Sequence, residues 1–209
     1  MNNHIISVSS LLTHGYCEYK YYLQYVIKVK VPITVKMKIG TYVHLKKEEA
    51  FLEQAVPTSW TEFLDSKEYV ITKEVPLKTK FENTLLIGRV DEICTDKDGI
   101  YIIEDKPGAR PFDSFKNQIF AYCYIFKRNF SEKTAKSIYA VLRDRDTNKE
   151  VWKEQFNLKN EFILIDILNR IKKILNKEIE PVPTDNPNKC RACIMNEQNI
   201  CPYSLAKNP

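Results

Sequence analysis

The sequence predicts an α/β fold in which a small mixed sheet is flanked by helices. Two observations carry this. Strand-like apolar runs fall at residues 69–77, 85–95, 100–106, 137–142 and 151–156, and helical periodicities fall at 10–27, 37–54, 113–127 and 161–176. With 209 residues, 44% of them hydrophobic, the chain can bury a real core, and the expectation is one compact unit over residues 1–209.

Ser9 and Ser10 are placed to cap a helix running to about residue 27, rich in tyrosine (Tyr16, Tyr19, Tyr21, Tyr22, Tyr25) and edged by Lys20, Lys28 and Lys30; Pro32 breaks it. A second helix over 37–54 carries Gly40 and His44, and a short helix at 59–65 precedes the strand at 69–77. Two strands then flank Asp96-Lys97-Asp98-Gly99, a turn by composition. After Pro107-Gly108 a helix starts near Asp113 or Ser114 and runs to Lys127, with Phe115, Ile119, Tyr122 and Phe126 on one face. A second hairpin surrounds the polar loop 143–150, and residues 161–176 form an amphipathic helix. The tail from Pro181 sets Pro181, Pro183, Pro187 and Pro202 around three cysteines and holds too little apolar material to fold without a staple.

The net charge of +5 suits a polyanionic partner but is weak support alone. No apolar run approaches the roughly 18 residues a membrane helix needs, and the opening MNNHIISVSS lacks a basic region followed by an apolar core. The expected location is therefore intracellular, in the cytoplasm. Six cysteines in such a chain point to metal binding or burial more than to disulfides. Cys94 and Cys123 sit in apolar runs and are expected in the core, whereas Cys17, Cys190, Cys193 and Cys201 lie in polar or turn-rich surroundings.

With a four-residue loop at 96–99, Thr95 faces Ile100 and Asp91 lies opposite Glu104. Directly opposed side chains have Cβ atoms about 4.5–5.5 Å apart, so the two carboxylates crowd unless a proton or cation separates them. Alternation puts Glu104 and Lys106 on one face and Asp105 on the other. Oxygen ligands of this kind suit Mg²⁺ or Mn²⁺, which bind a phosphate and acidify water, and a nearby ammonium can orient that water. The alternative is a solvated salt-bridge ladder, although a charged triad among apolar neighbours is costly unless it is paired or coordinating.

Gly88-Arg89-Val90-Asp91-Glu92-Ile93 followed by Ile102-Ile103-Glu104-Asp105-Lys106 resembles the Asp…Glu-x-Lys core of PD-(D/E)XK nucleases. Gly40-x-x-x-His44 is similar to the upstream motif of the RecB-like branch, and Gln118-x-x-x-Tyr122 to its downstream motif. The resemblance implies a restriction-endonuclease-like core. It also implies a metal held by His44, Asp91, Glu104 and the main-chain carbonyl of Asp105, a Lys106 serving the attacking water, and DNA positioned by Gln118 and Tyr122.

Cys190-x-x-Cys193 with Cys201 gives three thiolates on the tail, and Cys17 can supply a fourth; the spacing alone permits zinc or an iron–sulfur cluster. The split of one N-terminal and three C-terminal cysteines resembles the iron–sulfur RecB-like nucleases, including the CRISPR-associated exonucleases of the Cas-four type and viral relatives, with Glu18 where proline is usual. That resemblance implies a [4Fe–4S] cluster in a cap built from about residues 1–30 and 181–209. It further implies action on DNA, especially single strands, and partnership with CRISPR adaptation integrase proteins or a role in recombination and repair. A catalytically idle DNA- or protein-binding subunit and a zinc-stapled RNA-processing factor are the rival expectations. The resemblance implies exonuclease action with endonuclease cutting as a further activity; cleavage polarity, the preference between those two modes and homo-oligomer formation are left open by the residues.

Overall fold

The computed structural model describes residues 4–32 and 35–206; the side chains at 35–37, 40, 44 and 47 lie outside that description. In chain order the elements are β1 (His4–Ser7), α1 (Ser10–Tyr16), α2 (Glu18–Tyr25), α3 (Val35–Leu52), α4 (Trp60–Asp65), β2 (Val70–Phe81), β3 (Thr84–Thr95) and β4 (Ile100–Lys106), then α5 (Asp113–Phe130), β5 (Ile138–Asp144), β6 (Glu150–Gln155), α6 (Leu158–Leu175), α7 (Pro187–Arg191) and α8 (Ile194–Glu197). The fold is α/β, with a mixed sheet and flanking helices.

The sheet is organised on β3, which is long enough to serve three neighbours. β2 runs antiparallel along one edge of it from Phe81↔Thr84 to Val70↔Thr95. The other edge is shared: β1 pairs in parallel with Thr84–Ile87, and β4 pairs antiparallel with Glu92–Thr95. Residues 88–91 of β3 therefore face a gap between two partners. Beyond β4 the sheet continues through β5 in parallel and β6 antiparallel. The parallel step from β4 to β5 needs a crossover, and α5 supplies it.

α5 lies against the inner face of the sheet and is buried without interruption from Gln118 to Phe126. The single apolar face expected from Phe115, Ile119, Tyr122 and Phe126 is thus too narrow a description. Strands β2 to β5 cover one side of the helix and α1 and α6 the others, so residues such as Phe120 and Tyr124 are enclosed as well. Cys123 and Cys94 are both buried, as their apolar settings predict. The outer face of the sheet carries a smaller cluster of Cys94, Ile103 and Val141.

Other differences have local causes. The helix expected over 10–27 is two helices, because Cys17 between them adopts an extended backbone with φ −169° and ψ 122°. Ser9 makes no side-chain cap; instead the Ser7 hydroxyl accepts from the Ser10 N–H at 3.2 Å. Residues 4–7 form a strand that four residues could not announce, since its stability comes from pairing with β3. β2 extends four residues beyond the expected 77, its Lys78, Lys80 and Pro76 being tolerated on an edge strand. Full capping boxes start α4 (Ser59, Glu62) and α6 (Asn157, Asn160), the latter three residues earlier than periodicity alone gives. Among the described residues no helix is long and apolar enough to cross a membrane.

Candidate active site

The β3–β4 hairpin has the register expected from its turn, from Thr95↔Ile100 to Glu92↔Ile103. The next position on β3 is Asp91, at the mouth of the gap between β1 and β4. Its Oδ2 accepts a hydrogen bond from the backbone N–H of Asp105 at 2.8 Å, so the side chain continues the ladder where the main chain stops. Across from it, Glu104 Oε1 accepts from Lys106 Nζ at 2.5 Å and from Gln118 Nε2 at 3.0 Å. The Lys106 ammonium also lies 5.6 Å from the Phe115 ring centroid. Asp91, Glu104 and Lys106 are brought together, with α5 as their floor.

Asp105 is turned the other way. Arg143 holds it with two bonds, Nε to Oδ1 at 2.7 Å and Nη2 to Oδ2 at 3.2 Å, and reaches Glu92 Oε1 at 2.8 Å. Lys73 adds a 3.5 Å contact to Glu92 on the same outer face. This network pins the Asp105 side chain behind the sheet, leaving only its main chain at the site. Arg143 is not singled out by the sequence pattern; the signal for it is the pair of acidic residues, Glu92 and Asp105, that alternation sends to the same outer face.

Gln118 and Tyr122 stand behind Glu104, at 2% and 3% exposure. Gln118 Nε2 lies 3.5 Å from the Tyr122 hydroxyl, which also meets the backbone of Arg89 in the gap. Their polar atoms thus hold Glu104 and β3 rather than facing outward. Gly88 makes room for this: a Cβ there would lie 2.6 Å from Tyr122 Cε1 and 2.9 Å from Val8 Cβ. His44 is on α3, but its side chain lies outside the described residues. One turn later on α3, Glu48 Oε1 lies 3.4 Å from Arg89 Nη1, which ties the helix to β3 two residues before Asp91.

Burial, then the neighbouring Glu104 charge, pushes the Asp91 carboxyl up to about 8, against the opposing pull of the Asp105 N–H and Lys106. Burial and the same carboxylate drive the Tyr122 phenol well above its usual range. Glu104 Oε2 and Gln118 Oε1 are buried with no hydrogen-bond partner among the described residues. A site with two crowded carboxylates, one unfilled oxygen and one ammonium is suited to a hard divalent cation and an anionic substrate. As the side chains stand, no three His, Cys, Asp or Glu groups among the described residues close round a single point.

The other predicted constellation lies at the chain ends. Cys17, Cys190, Cys193 and Cys201 line one cavity of about 20 Å³, together with Tyr16, Lys20 and Lys189. All four are free thiols. Burial raises the Cys201 thiol and pushes the Tyr16 phenol up to about 12, in each case with added contributions from neighbouring cysteines. Glu18 proves structural: it binds Arg170 of α6, with Nη2 to Oε2 at 2.7 Å, and accepts from the Val182 N–H at 2.8 Å. It thereby clamps α2, α6 and the tail.

Solved structures share this architecture. SSO0001 superposes with a TM-score of 0.56 at 17% identity, covering 99% of this chain and 89% of its own. An exonuclease candidate from Eubacterium rectale gives 0.53 at 13% identity, covering 100% and 91%. At these identities the likeness concerns the fold. No curated protein matches the chain. The family model described as the PD-(D/E)XK nuclease superfamily matches residues 45–202, well over half of the sequence and including Asp91, Glu104, Lys106, Gln118 and Tyr122, and the chain belongs to that superfamily.

Proposed function

We propose that this protein is a metal-dependent deoxyribonuclease that hydrolyses phosphodiester bonds, acting on single-stranded DNA as an exonuclease. The observation that carries the reading is the Asp91, Glu104 and Lys106 constellation at the β3–β4 gap, set on the superfamily's fold. The residues fit a divalent ion, since a buried Glu104 oxygen has no hydrogen-bond partner among the described residues and the Asp91 carboxyl is held up by burial and then by the neighbouring Glu104 charge. Asp91 and Glu104 would hold Mg²⁺ or Mn²⁺, with His44 and the Asp105 carbonyl completing the set. Such an ion supplies Lewis acidity toward the phosphate and lowers the pKa of water. Lys106 holds the attacking water and offsets charge that develops on the phosphate oxygens. Gln118 fixes the Glu104 carboxylate through its 3.0 Å bond, and Tyr122 is packed behind it. Both act on DNA position through Glu104 and β3.

The four thiols around one cavity support a second element of the proposal, a [4Fe–4S] cluster on Cys17, Cys190, Cys193 and Cys201. Joining residues 17 and 201 closes a very long loop, so the bound group would staple an N- and C-terminal cap onto a single nuclease domain. CRISPR adaptation, alongside integrase proteins, and DNA recombination or repair are the settings this activity fits.

The test is cleavage of end-labelled single-stranded DNA by anaerobically purified protein with Mg²⁺, Mn²⁺ or EDTA, beside Glu104→Ala and Lys106→Ala. Metal-dependent cutting lost in both variants supports the site, and the product ladder gives polarity. Intact DNA under every condition would move the reading to an idle binding subunit. Iron content and absorbance near about 400 nm decide the cluster, which zinc would not give.

A further inference from the structure

The β2–β3 ladder changes phase at one pair of residues. On β3, Val90 and Ile93 both point into the core with α5, yet Glu92 and Cys94 face the outer side. On β2, Val75 and Leu77 go to the same core, whereas Lys73 and Ile71 face outward. Strict alternation allows neither pattern, so each strand must slip its pleat once. The pairing runs through Lys73↔Glu92 and resumes at Val75↔Val90, which leaves Glu74 directly across from Asp91 at the slip. Glu74 carries the cost, with φ +51°, a left-handed backbone that non-glycine residues adopt reluctantly. The register sets Glu74 across from Asp91, and its charge is the smallest of the influences that act on the Asp91 carboxyl.

Acidic residues thus stand on three adjacent strands, Glu74 on β2 across from Asp91 on β3, and Glu104 on β4 beyond it. A cluster of charges alone would prove little, but the Glu104 side chain is 5% exposed and its Oε2 has no hydrogen-bond partner among the described residues. We propose that Glu74 is a further, outer carboxylate of the divalent-cation site, taking hydrogen bonds from the hydration shell of the ion held by Asp91 and Glu104. This rests on the metal-dependent nuclease reading. Mg²⁺ and Mn²⁺ sites built on one or two carboxylates keep several waters, and those waters need acceptors. Glu74 is a positioning residue by this account, since it acts through the ion's waters. Glycine would relax this left-handed backbone but has no carboxylate to offer.

The experiment is Mn²⁺ titration of the full chain by isothermal calorimetry, for the wild type, Glu74→Gln, Glu74→Gly and Asp91→Asn, with melting temperatures measured in EDTA. Glu74→Gln and Glu74→Gly should each weaken Mn²⁺ binding about tenfold, and the Mn²⁺ concentration for half-maximal DNA cleavage should rise by the same factor. Glu74→Gly should also melt a few degrees higher, because it relieves the backbone while removing the ligand group. A residue with only a structural role would not move stability and metal affinity in opposite directions. If both Glu74 variants bind Mn²⁺ like the wild type while Asp91→Asn does not, the assignment of Glu74 is overturned and the site stands. If the wild type and Asp91→Asn bind equally, or neither binds, the cation site itself is overturned and Glu74 with it.

Discussion

The Asp91 carboxylate takes the place of a ladder rung, accepting the Asp105 N–H at 2.8 Å just beyond the last β3–β4 pair. One side chain therefore both completes the sheet and faces the site. The two roles separate by substitution. Asp91→Asn keeps an oxygen acceptor and should fold with a near-normal melting temperature, whereas Asp91→Ala strands a half-buried N–H at a cost of about 1–3 kcal/mol. Both should lose DNA cleavage by at least about 100-fold. Melting curves beside cleavage rates check this, and an active Asp91→Asn would remove Asp91 from the metal site.

Gln118 offers a sharper test of what the downstream motif does. Its amide donates to Glu104 from a position almost without exposure, so it orients the carboxylate from behind. Gln118→Ala should lower cleavage about 10–100-fold while leaving the affinity for single-stranded DNA in EDTA unchanged. A loss of DNA binding in EDTA with cleavage per bound complex preserved would instead assign Gln118 to substrate contact.

How much of this could be read in the residues depends on how local the controlling interactions are. The Asp91 to Glu104 register is set by the four-residue turn at 96–99 and the period-two pattern beside it, both visible in sequence. The break at Cys17 is not visible, because the helical pattern runs through it and the extended backbone is imposed where α1, α2 and the cysteine cavity meet. Glu18 reads as a departure from a family pattern until Arg170 and Val182, over 150 residues away, are seen to bind it. Glu74 looks like one charge among several on an edge strand. Only the pleat slip shared with β3 gives it a place, and that slip is a property of two strands together.

Gly88 is a packing requirement that reports on the gap. A methyl at this position meets the Tyr122 ring at 2.6 Å and Val8 at 2.9 Å, and both belong to the buried core. Gly88→Ala should destabilise the fold by about 1–3 kcal/mol through overpacking. Because Tyr122 is the nearer obstacle, the double variant Gly88→Ala with Tyr122→Ala should cost less than the sum of the two single changes. Urea denaturation of the four proteins in that cycle measures the coupling, and strict additivity would mean that the strain is released elsewhere.

The final prediction concerns pH. Asp91 titrates at about 8 in the folded protein, chiefly through burial and then Glu104, while an unfolded aspartate titrates near its ordinary value of about 3.9. The folded state therefore holds this proton more tightly than the unfolded one. A carboxyl shifted upward contributes stability that is complete below the unfolded value and is lost as pH rises through the folded value. In EDTA the melting temperature of the wild type should accordingly fall more steeply from about pH 5 to pH 8.5 than that of Asp91→Asn, whose neutral amide removes this source of the slope. Adding Mg²⁺ should lift the wild type at high pH, because the cation replaces the proton between Asp91 and Glu104, and should do little for Asp91→Asn. Parallel melting profiles for the two proteins in EDTA would show that Asp91 is ionised in the metal-free fold at neutral pH.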